Sequence, residues 1–253
     1  METTANRPYV LSIAGFDPSG GAGVIADCKT MEAFQTVGLA VTTALTFQTE
    51  NSFDGVEWLS WSILEKQLEP LVKRYAIEVV KIGLIENLHT LQQVLQFLKS
   101  HLPSVYIIWD PILAASAGTS FHQTIDAVEL KACLQHIDLI TPNLPEMQRL
   151  FGATTVQSCE LLTTSNTAVL VKGGHATAAV SIDTLFMPDG EQTAFEAARI
   201  SGFDKHGTGC MLSSAIAAQL AKGVSLNAAI AGAKQFVLQR MQSNPSGLAW
   251  YQG

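Results

Sequence analysis

The chain has 253 residues, 47% of them hydrophobic and 15% charged, with a formal net charge of −7. Such a composition supplies a large core, and the acidic balance argues against a general nucleic-acid binder, which carries a basic face. The first residues are polar, and no run reaches the ~18 apolar residues that span a bilayer. The expectation is a soluble, cytoplasmic protein with no nucleic-acid or membrane partner. No Pro/Ser-rich linker, charge block or repeat divides the sequence, so residues 1–253 read as one domain. Cys28, Cys133, Cys159 and Cys210 show no C-x-x-C spacing, which indicates neither a zinc site nor a disulfide framework.

Taken in order, Tyr9-Val10-Leu11-Ser12-Ile13-Ala14 is a short buried strand ending at Gly15. A Gly-rich turn, Phe16-Asp17-Pro18-Ser19-Gly20-Gly21-Ala22-Gly23, then leads into a helical pattern over 24–34. Strand, Gly-rich turn, helix is the layout of a ligand-binding first crossover in an α/β fold, although the glycine spacing fits neither a dinucleotide fingerprint nor a Walker A loop. Asp17 and Asp27 suit hydrogen-bonding a small polar ligand, since carboxylates repel phosphate. Residues 39–47 are rich in β-formers and end at Gln48, which either reads a heterocycle edge or is a solvated strand end. An amphipathic helix (62–74), a strand (79–84), a helix (88–99) and a strand (105–110) follow. Asp110, before Pro111, either points into a site or makes an Asx-turn.

Next come a helix over 124–135, a short strand (137–140) and Thr141-Pro142-Asn143-Leu144-Pro145-Glu146. Asn143 and Glu146, three apart at a helix entry, face one ligand or hydrated metal, or cap the helix; the two roles can coexist. A strand at 168–171 leads to Lys172-Gly173-Gly174-His175, and 180–187 with 193–200 look like a hairpin. His175 and His206 read as hydrogen-bonding turn residues. The stretch Lys205-His206-Gly207-Thr208-Gly209-Cys210 then runs into a small-residue helix (214–221) with Gly223 as its C-cap, and a last helix covers 226–241. A Gly-punctuated turn into a helix start offers unpaired N–H groups and a positive dipole end to an anion; a plain turn into a core helix is the bland alternative. Cys210, at that helix start, is expected to have a lowered thiol pKa. Alternating strands and helices predict a mainly parallel sheet covered on both faces, and the polar segments fall at the strands' carboxyl ends, where ligands of such sheets bind.

Ala14-Gly15-Phe16-Asp17-Pro18-Ser19-Gly20-Gly21-Ala22-Gly23 with Ala26-Asp27 resembles the N-terminal signature of hydroxymethylpyrimidine and phosphomethylpyrimidine kinases, in the ribokinase superfamily. Thr43-Ala44-Leu45-Thr46 before Gln48, Lys81-Ile82-Gly83, Asp110-Pro111, Thr141 to Glu146, Lys172 to His175 and His206 to Cys210 match in the same order. The likeness covers about residues 8–240. It implies a three-layer α/β/α sandwich with a small β edge over the substrate. It also implies phosphorylation of 4-amino-5-hydroxymethyl-2-methylpyrimidine, then of its monophosphate, with ATP and Mg2+ in thiamine diphosphate synthesis. By position, Asp27 and Gln48 would bond the aminopyrimidine beside Gly15, with Leu84 and Ile112 as apolar walls. Lys172 and Thr208 would reach ATP phosphates, Asn143 and Glu146 would hold hydrated magnesium with Asp110 as a further candidate, and Gly207, Thr208, Gly209 and Cys210 would form the anion hole. Cys210 stands where sugar kinases of the superfamily place an aspartate base. The family also implies a homodimer through the β edge.

Four features depart from that pattern: Phe16 in place of Thr or Ser, Ile25 in place of Gln, Lys205 in place of Asn or Thr, and the tail Asn244-Pro245-Ser246-Gly247-Leu248. None removes a group the chemistry needs. The thiamine-phosphate synthase domain of some relatives is not expected here. The rival expectations are a pyridoxine or pyridoxal kinase of the same superfamily, whose substrate is also a small ring bearing CH2–OH, and a non-catalytic sensor on this fold.

Overall fold

The computed structural model of the chain describes residues 7–113, 125–157, 159–173, 180–198, 200 and 205–251. The first apolar run forms β1 (Tyr9–Phe16), and α1 (Gly23–Ala33) carries the chain back to β2 (Val37–Gln48), parallel to β1. The outer half of β2 pairs antiparallel with β3 (Phe53–Trp58). After α2 (Trp61–Arg74), β4 (Ile77–Ile82) lands on the opposite side of β1. Parallel strands then add outward: α3 (Leu88–His101), β5 (Tyr106–Trp109), α4 (Ala127–Leu134), β6 (Leu139–Ile140), α5 (Leu144–Phe151), α6 (Glu160–Thr163) and β7 (Ala168–Val171). An antiparallel hairpin, β8 (Val180–Phe186) and β9 (Gln192–Ala198), closes that edge, before α7 (Thr208–Ala221) and α8 (Leu226–Met241). The nine strands form one sheet in the order β3-β2-β1-β4-β5-β6-β7-β8-β9.

Because side chains alternate along a strand, each central strand feeds two cores. Leu11, Ile13, Val80, Ile82, Ile107 and Trp109 face α2, α3, α4 and α5. Val10, Val79, Ile108, Leu139 and Leu170 face α1, α7 and α8. The result is three layers, as the alternating pattern predicts. α7 is built of small residues, with Ser213, Ser214, Ala215, Ala217 and Ala218 all at 0% exposure, so it lies deep in its layer.

The same alternation sets up the chemistry. Two positions beyond each residue on the α7 side, the row continues as Ser12, within β1, and then Lys81, Asp110, Thr141 and Lys172, at or just past the carboxyl ends of their strands. Ser12 and Lys81 are paired neighbours on β1 and β4. Strand order reverses between these two strands, and the loops that follow them diverge, the geometry that opens a crevice in such sheets.

Candidate active site

The Gly-rich turn after β1 is organised by Asp17, which is 1% exposed. Its carboxylate accepts from Ser19 N at 2.9 Å, Ser19 Oγ at 2.8 Å and Ala22 N at 2.8 Å, and its Oδ2 lies 2.9 Å from His206 Nε2. Burial alone would raise the Asp17 pKa, but His206, Ser19 and Ala22 outweigh it and hold the carboxyl below its usual value. Through His206 this turn is fastened to the entry of α7. Gly207, the N-cap of α7, has φ 78°, and a Cβ there would fall 2.0 Å from the Gly21 carbonyl oxygen. Only glycine fits a left-handed position with that clearance. The first intrahelical bond is Met211 N to Gly207 O, so the N–H groups of Thr208, Gly209 and Cys210 have no partner within the helix.

Beside that helix start lies a charged cluster. Lys172 Nζ is 2.7 Å from Asp110 Oδ1 and 3.8 Å from Glu146 Oε2. Asp110 also accepts from Thr141 Oγ1 and, through α7, from Ser213 Oγ, each at 3.1 Å. A Cβ placed on Gly209 would sit 3.4 Å from Lys172 Nζ and 3.7 Å from Asp110 Oδ2. Lys172 and Asp110 therefore lie against the first turn of α7 at Gly209. Burial depresses the Lys172 pKa, yet Asp110 and Glu146 reverse this and raise it, keeping the ammonium charged. Burial likewise opposes ionisation of Asp110, but Lys172 and Lys81 prevail and lower its pKa. Glu146 is left with the excess: burial, with Asp110 adding to it, pushes its carboxyl up to about 7 against the pull of Lys172.

Two carboxylates face one lysine, so the cluster carries surplus negative charge that a divalent cation would offset. Oxygen donors from one or two carboxylates plus water are what Mg2+ prefers, and Asp110, Glu146 and Asn143 fit that requirement. Asn143 and Glu146 form a capping box at α5: Glu146 N donates to Asn143 Oδ1 at 2.8 Å and Asn143 N to Glu146 Oε2 at 2.7 Å. The capping role is thus realised, and Glu146 Oε1 is not used by the box.

These observations meet the comparisons with known proteins. The phosphomethylpyrimidine kinase family model matches residues 17–250. This chain belongs to the phosphomethylpyrimidine kinase family. It is 34% identical to the hydroxymethylpyrimidine/phosphomethylpyrimidine kinase of Aquifex aeolicus over 243 residues, covering 92% of this chain and 94% of that one. With the Staphylococcus aureus (strain MRSA252) kinase of that name it shares 32% over 245 residues, covering 93% and 88%. It is also 32% identical to a thiamine biosynthesis multifunctional protein of Corynebacterium glutamicum, covering 89% of this chain but spanning only 30% of that relative's length. Among solved structures, the Clostridium difficile 630 phosphomethylpyrimidine kinase superposes with TM-score 0.76 at 28% identity, covering 92% and 99%. A Staphylococcus aureus pyridoxal kinase in complex with ADP gives 0.79 at 24%, covering 94% and 89%, a likeness of fold. The fold is ribokinase-like.

Within this family frame, the expected ring-binding residues fall into two groups. Gly15 and Leu84 meet at the β1/β4 crevice, where a Cβ on Gly15 would be 2.8 Å from Leu84 Cδ2. Thr43 Oγ1 fixes the Leu84 carbonyl at 2.6 Å. Gln48 and Ile112 are partly exposed, at the end of β2 and just past β5. Asp27, expected at the aminopyrimidine, sits among several donors. It is 0% exposed, and its oxygens accept from Lys81 Nζ at 2.9 and 2.8 Å, Ser12 Oγ at 2.5 Å and Ser214 Oγ at 2.7 Å. A ring bonded to Asp27 would share the carboxylate with these donors. Asp17, similarly, organises the turn. Lys81 is the residue that sequence reasoning left without a role. Its signal is a lysine on the buried run Val79-Val80-Lys81-Ile82 of β4, where the strand's other charged residue, Glu78, is exposed.

The expected acidity of Cys210 requires a correction. Its thiol is pushed up to about 11, first by burial and then by Asp27 and Asp110, which outweigh Lys81 and the Gly23 N–H donated to its sulfur. The helix start does not prevail over two carboxylates in a dry setting. Gly174 and His175 lie outside the described residues.

Proposed function

We propose that the chain is one catalytic domain that moves the γ-phosphoryl group of ATP to the hydroxymethyl oxygen of 4-amino-5-hydroxymethyl-2-methylpyrimidine. A second transfer to the monophosphate then gives the diphosphate used in thiamine diphosphate biosynthesis, in the cytoplasm. The observation that supports this most directly is Lys172 lying against the first turn of α7 at Gly209. Phosphoryl transfer needs positioning and charge stabilisation more than covalent help. The Thr208, Gly209 and Cys210 amides offer donors to the transferring group, and Lys172 neutralises charge beside them. Glu146 and Asn143, through water, with Asp110, would hold Mg2+, which supplies charge neutralisation at the phosphates. The ring occupies the β1/β4 crevice against Gly15 and Leu84, with Ile112 and Gln48 at its edges.

Cys210, with its thiol near 11, is neutral at pH 7. It lines the hole and takes no proton. In the second transfer the nucleophile is a phosphate monoester with a second pKa of about 6, already ionised at neutral pH, and a neutral thiol does not repel it. Cys210→Ser is therefore expected to retain most of both activities, whereas Cys210→Asp adds a third carboxylate beside Asp27 and Asp110 and harms the second step more.

The deciding experiment incubates purified protein with the pyrimidine and MgATP and resolves mono- and diphosphate products. Pyridoxine in parallel tests the rival ring, and ATP consumption without either product would contradict the assignment. The reading extends to a homodimer through the β2–β3 ribbon, supported by Phe16, Leu45 and Phe47 standing 38%, 39% and 51% exposed. Analytical ultracentrifugation of Phe47→Asp against the unaltered chain tests it.

A further inference from the structure

Lys205 immediately precedes the turn that opens α7, yet its side chain points away from the phosphate-binding amides into the C-terminal loop. The residue is 8% exposed. Its Nζ donates to Asn244 O at 2.6 Å, to Asn244 Oδ1 at 3.1 Å and to Ser246 O. Burial lowers the Lys205 pKa, while three oxygen acceptors around one nitrogen match the three N–H donors of the ammonium form. Among the described residues no carboxylate pairs with it. A cation surrounded by neutral oxygens, two of them main-chain carbonyls, has the surroundings that replace the hydration shell of a monovalent ion such as K+.

The loop is built around this charge. Asn244 Oδ1 also accepts from Ser246 N at 2.8 Å and Ser246 Oγ at 2.6 Å, and Asn244 Nδ2 donates to Leu248 O at 2.9 Å. From there the loop reaches the His206 and Gly21 turns of the candidate site and the segment just past β2. His206 N donates to Gly247 O at 2.9 Å. Leu248 packs over Gly21, where a Cβ would lie 2.7 Å from both Leu248 Cδ2 and His206 Cδ2. Gly247 rests on the Glu50 side chain, just past the end of β2.

We propose that the Lys205 ammonium is a tethered internal cation: it fills the oxygen cage of Asn244 and Ser246, locks the C-terminal loop onto the His206-Gly207 turn, and removes any need for a dissolved monovalent cation there. Lys205 is a positioning residue, since it acts on the phosphate-binding turn through the loop. The cage stands on its own geometry; its effect on ATP rests on the function proposed above.

A salt series separates this from an ordinary packing contact. The unaltered chain and Lys205→Ala are melted without substrate in choline, lithium, potassium and ammonium chlorides at equal ionic strength, and ATP and pyrimidine KM are measured in each. The unaltered chain is expected to melt and turn over alike in all four. Lys205→Ala is expected to melt lower in choline and to recover in ammonium and potassium but not lithium. Its ATP KM rises roughly tenfold in choline, the loss of hydrogen bonds to one charged group, and falls again with ammonium, while the pyrimidine KM stays put. Losses equal in every salt, or no loss in choline, overturn the proposal. So does activation of the unaltered chain by potassium, a measurement that holds even if Lys205→Ala does not fold. If neither protein phosphorylates the pyrimidine, the kinase assignment fails while the melting series still decides the cage.

Discussion

Two buried lysines flank α7, and their surroundings differ in one respect that separates structure from function. Lys81 and Asp27 are both 0% exposed, one charge against one, with the carboxylate further satisfied by Ser12 and Ser214. Lys172 meets two carboxylates, Asp110 and Glu146, and the three side chains keep 14%, 2% and 13% exposure. Matched charge sealed from water makes a wall, because nothing remains for a ligand to neutralise. Unmatched charge at a water-accessible edge makes a site, since an incoming cation or polyanion–cation pair completes the balance. The raised pKa of Glu146, caused first by burial and then by Asp110, is the mark of that incompleteness.

The comparison breaks if the two lysines respond alike to removal. Lys81→Met leaves a sealed carboxylate unpaired, and a loss of about 3–5 kcal/mol is expected in denaturant unfolding. Adding Asp27→Asn in the same chain should recover much of it. Lys172→Met should instead lower kcat/KM for ATP by about two orders of magnitude, the usual effect of deleting a donor aimed at developing charge, with a smaller stability loss than Lys81→Met. Equal destabilisation by both would remove the distinction.

Smaller changes sharpen it. The position of Gly209 leaves a Cβ in ordinary contact, 3.4 Å from Lys172 Nζ, and alanine favours a helix over glycine by roughly 0.5–1 kcal/mol. Gly209→Ala is therefore expected to melt no lower than the parent while losing about tenfold in activity, because its methyl occupies the approach to the amides. A lowered melting temperature would mean the position is structural. Gln48→Ala should raise the pyrimidine KM by roughly fivefold, one hydrogen bond's worth, and leave the ATP KM alone; an unchanged pyrimidine KM takes Gln48 off the ring. The smallest effect concerns acid. The folded Asp17 pKa lies below its unfolded value, so its stabilising contribution is complete above the unfolded value near 3.9 and fades as pH falls through the folded one. Asp17→Asn should flatten that part of the acid unfolding curve, read by circular dichroism.

Much of this architecture is legible in the sequence. The apolar runs at β1, β4, β5 and β7 are short and Gly- or Pro-bounded, and they appear as strands within a few residues of their expected limits. Two elements were not legible. β3, Phe53-Asp54-Gly55-Val56-Glu57-Trp58, has its alternation broken by Gly55 and exists because β2 continues past β1 to pair with it. α6 is four residues long, too short to show a period.

For the site, the strand-end positions of Lys172, Asn143, Glu146 and the Gly207–Cys210 turn were readable, since local glycine and capping chemistry announces itself along the chain. The partners were not. Asp27 reads along the chain as a polar group near a turn, and its ion-pair partner Lys81 lies 54 positions away. Cys210 resembled an activated thiol until burial beside Asp27 and Asp110 reversed the shift.

The sequence by itself determined the layers, the strand ends and the kinds of group gathered there, because periodicity and turn chemistry are local properties of the chain. Only the tertiary structure decided which charges cancel, which stay exposed and what Lys205 holds. Ionisation and pairing depend on distance and on water, and both are set by residues far apart in sequence.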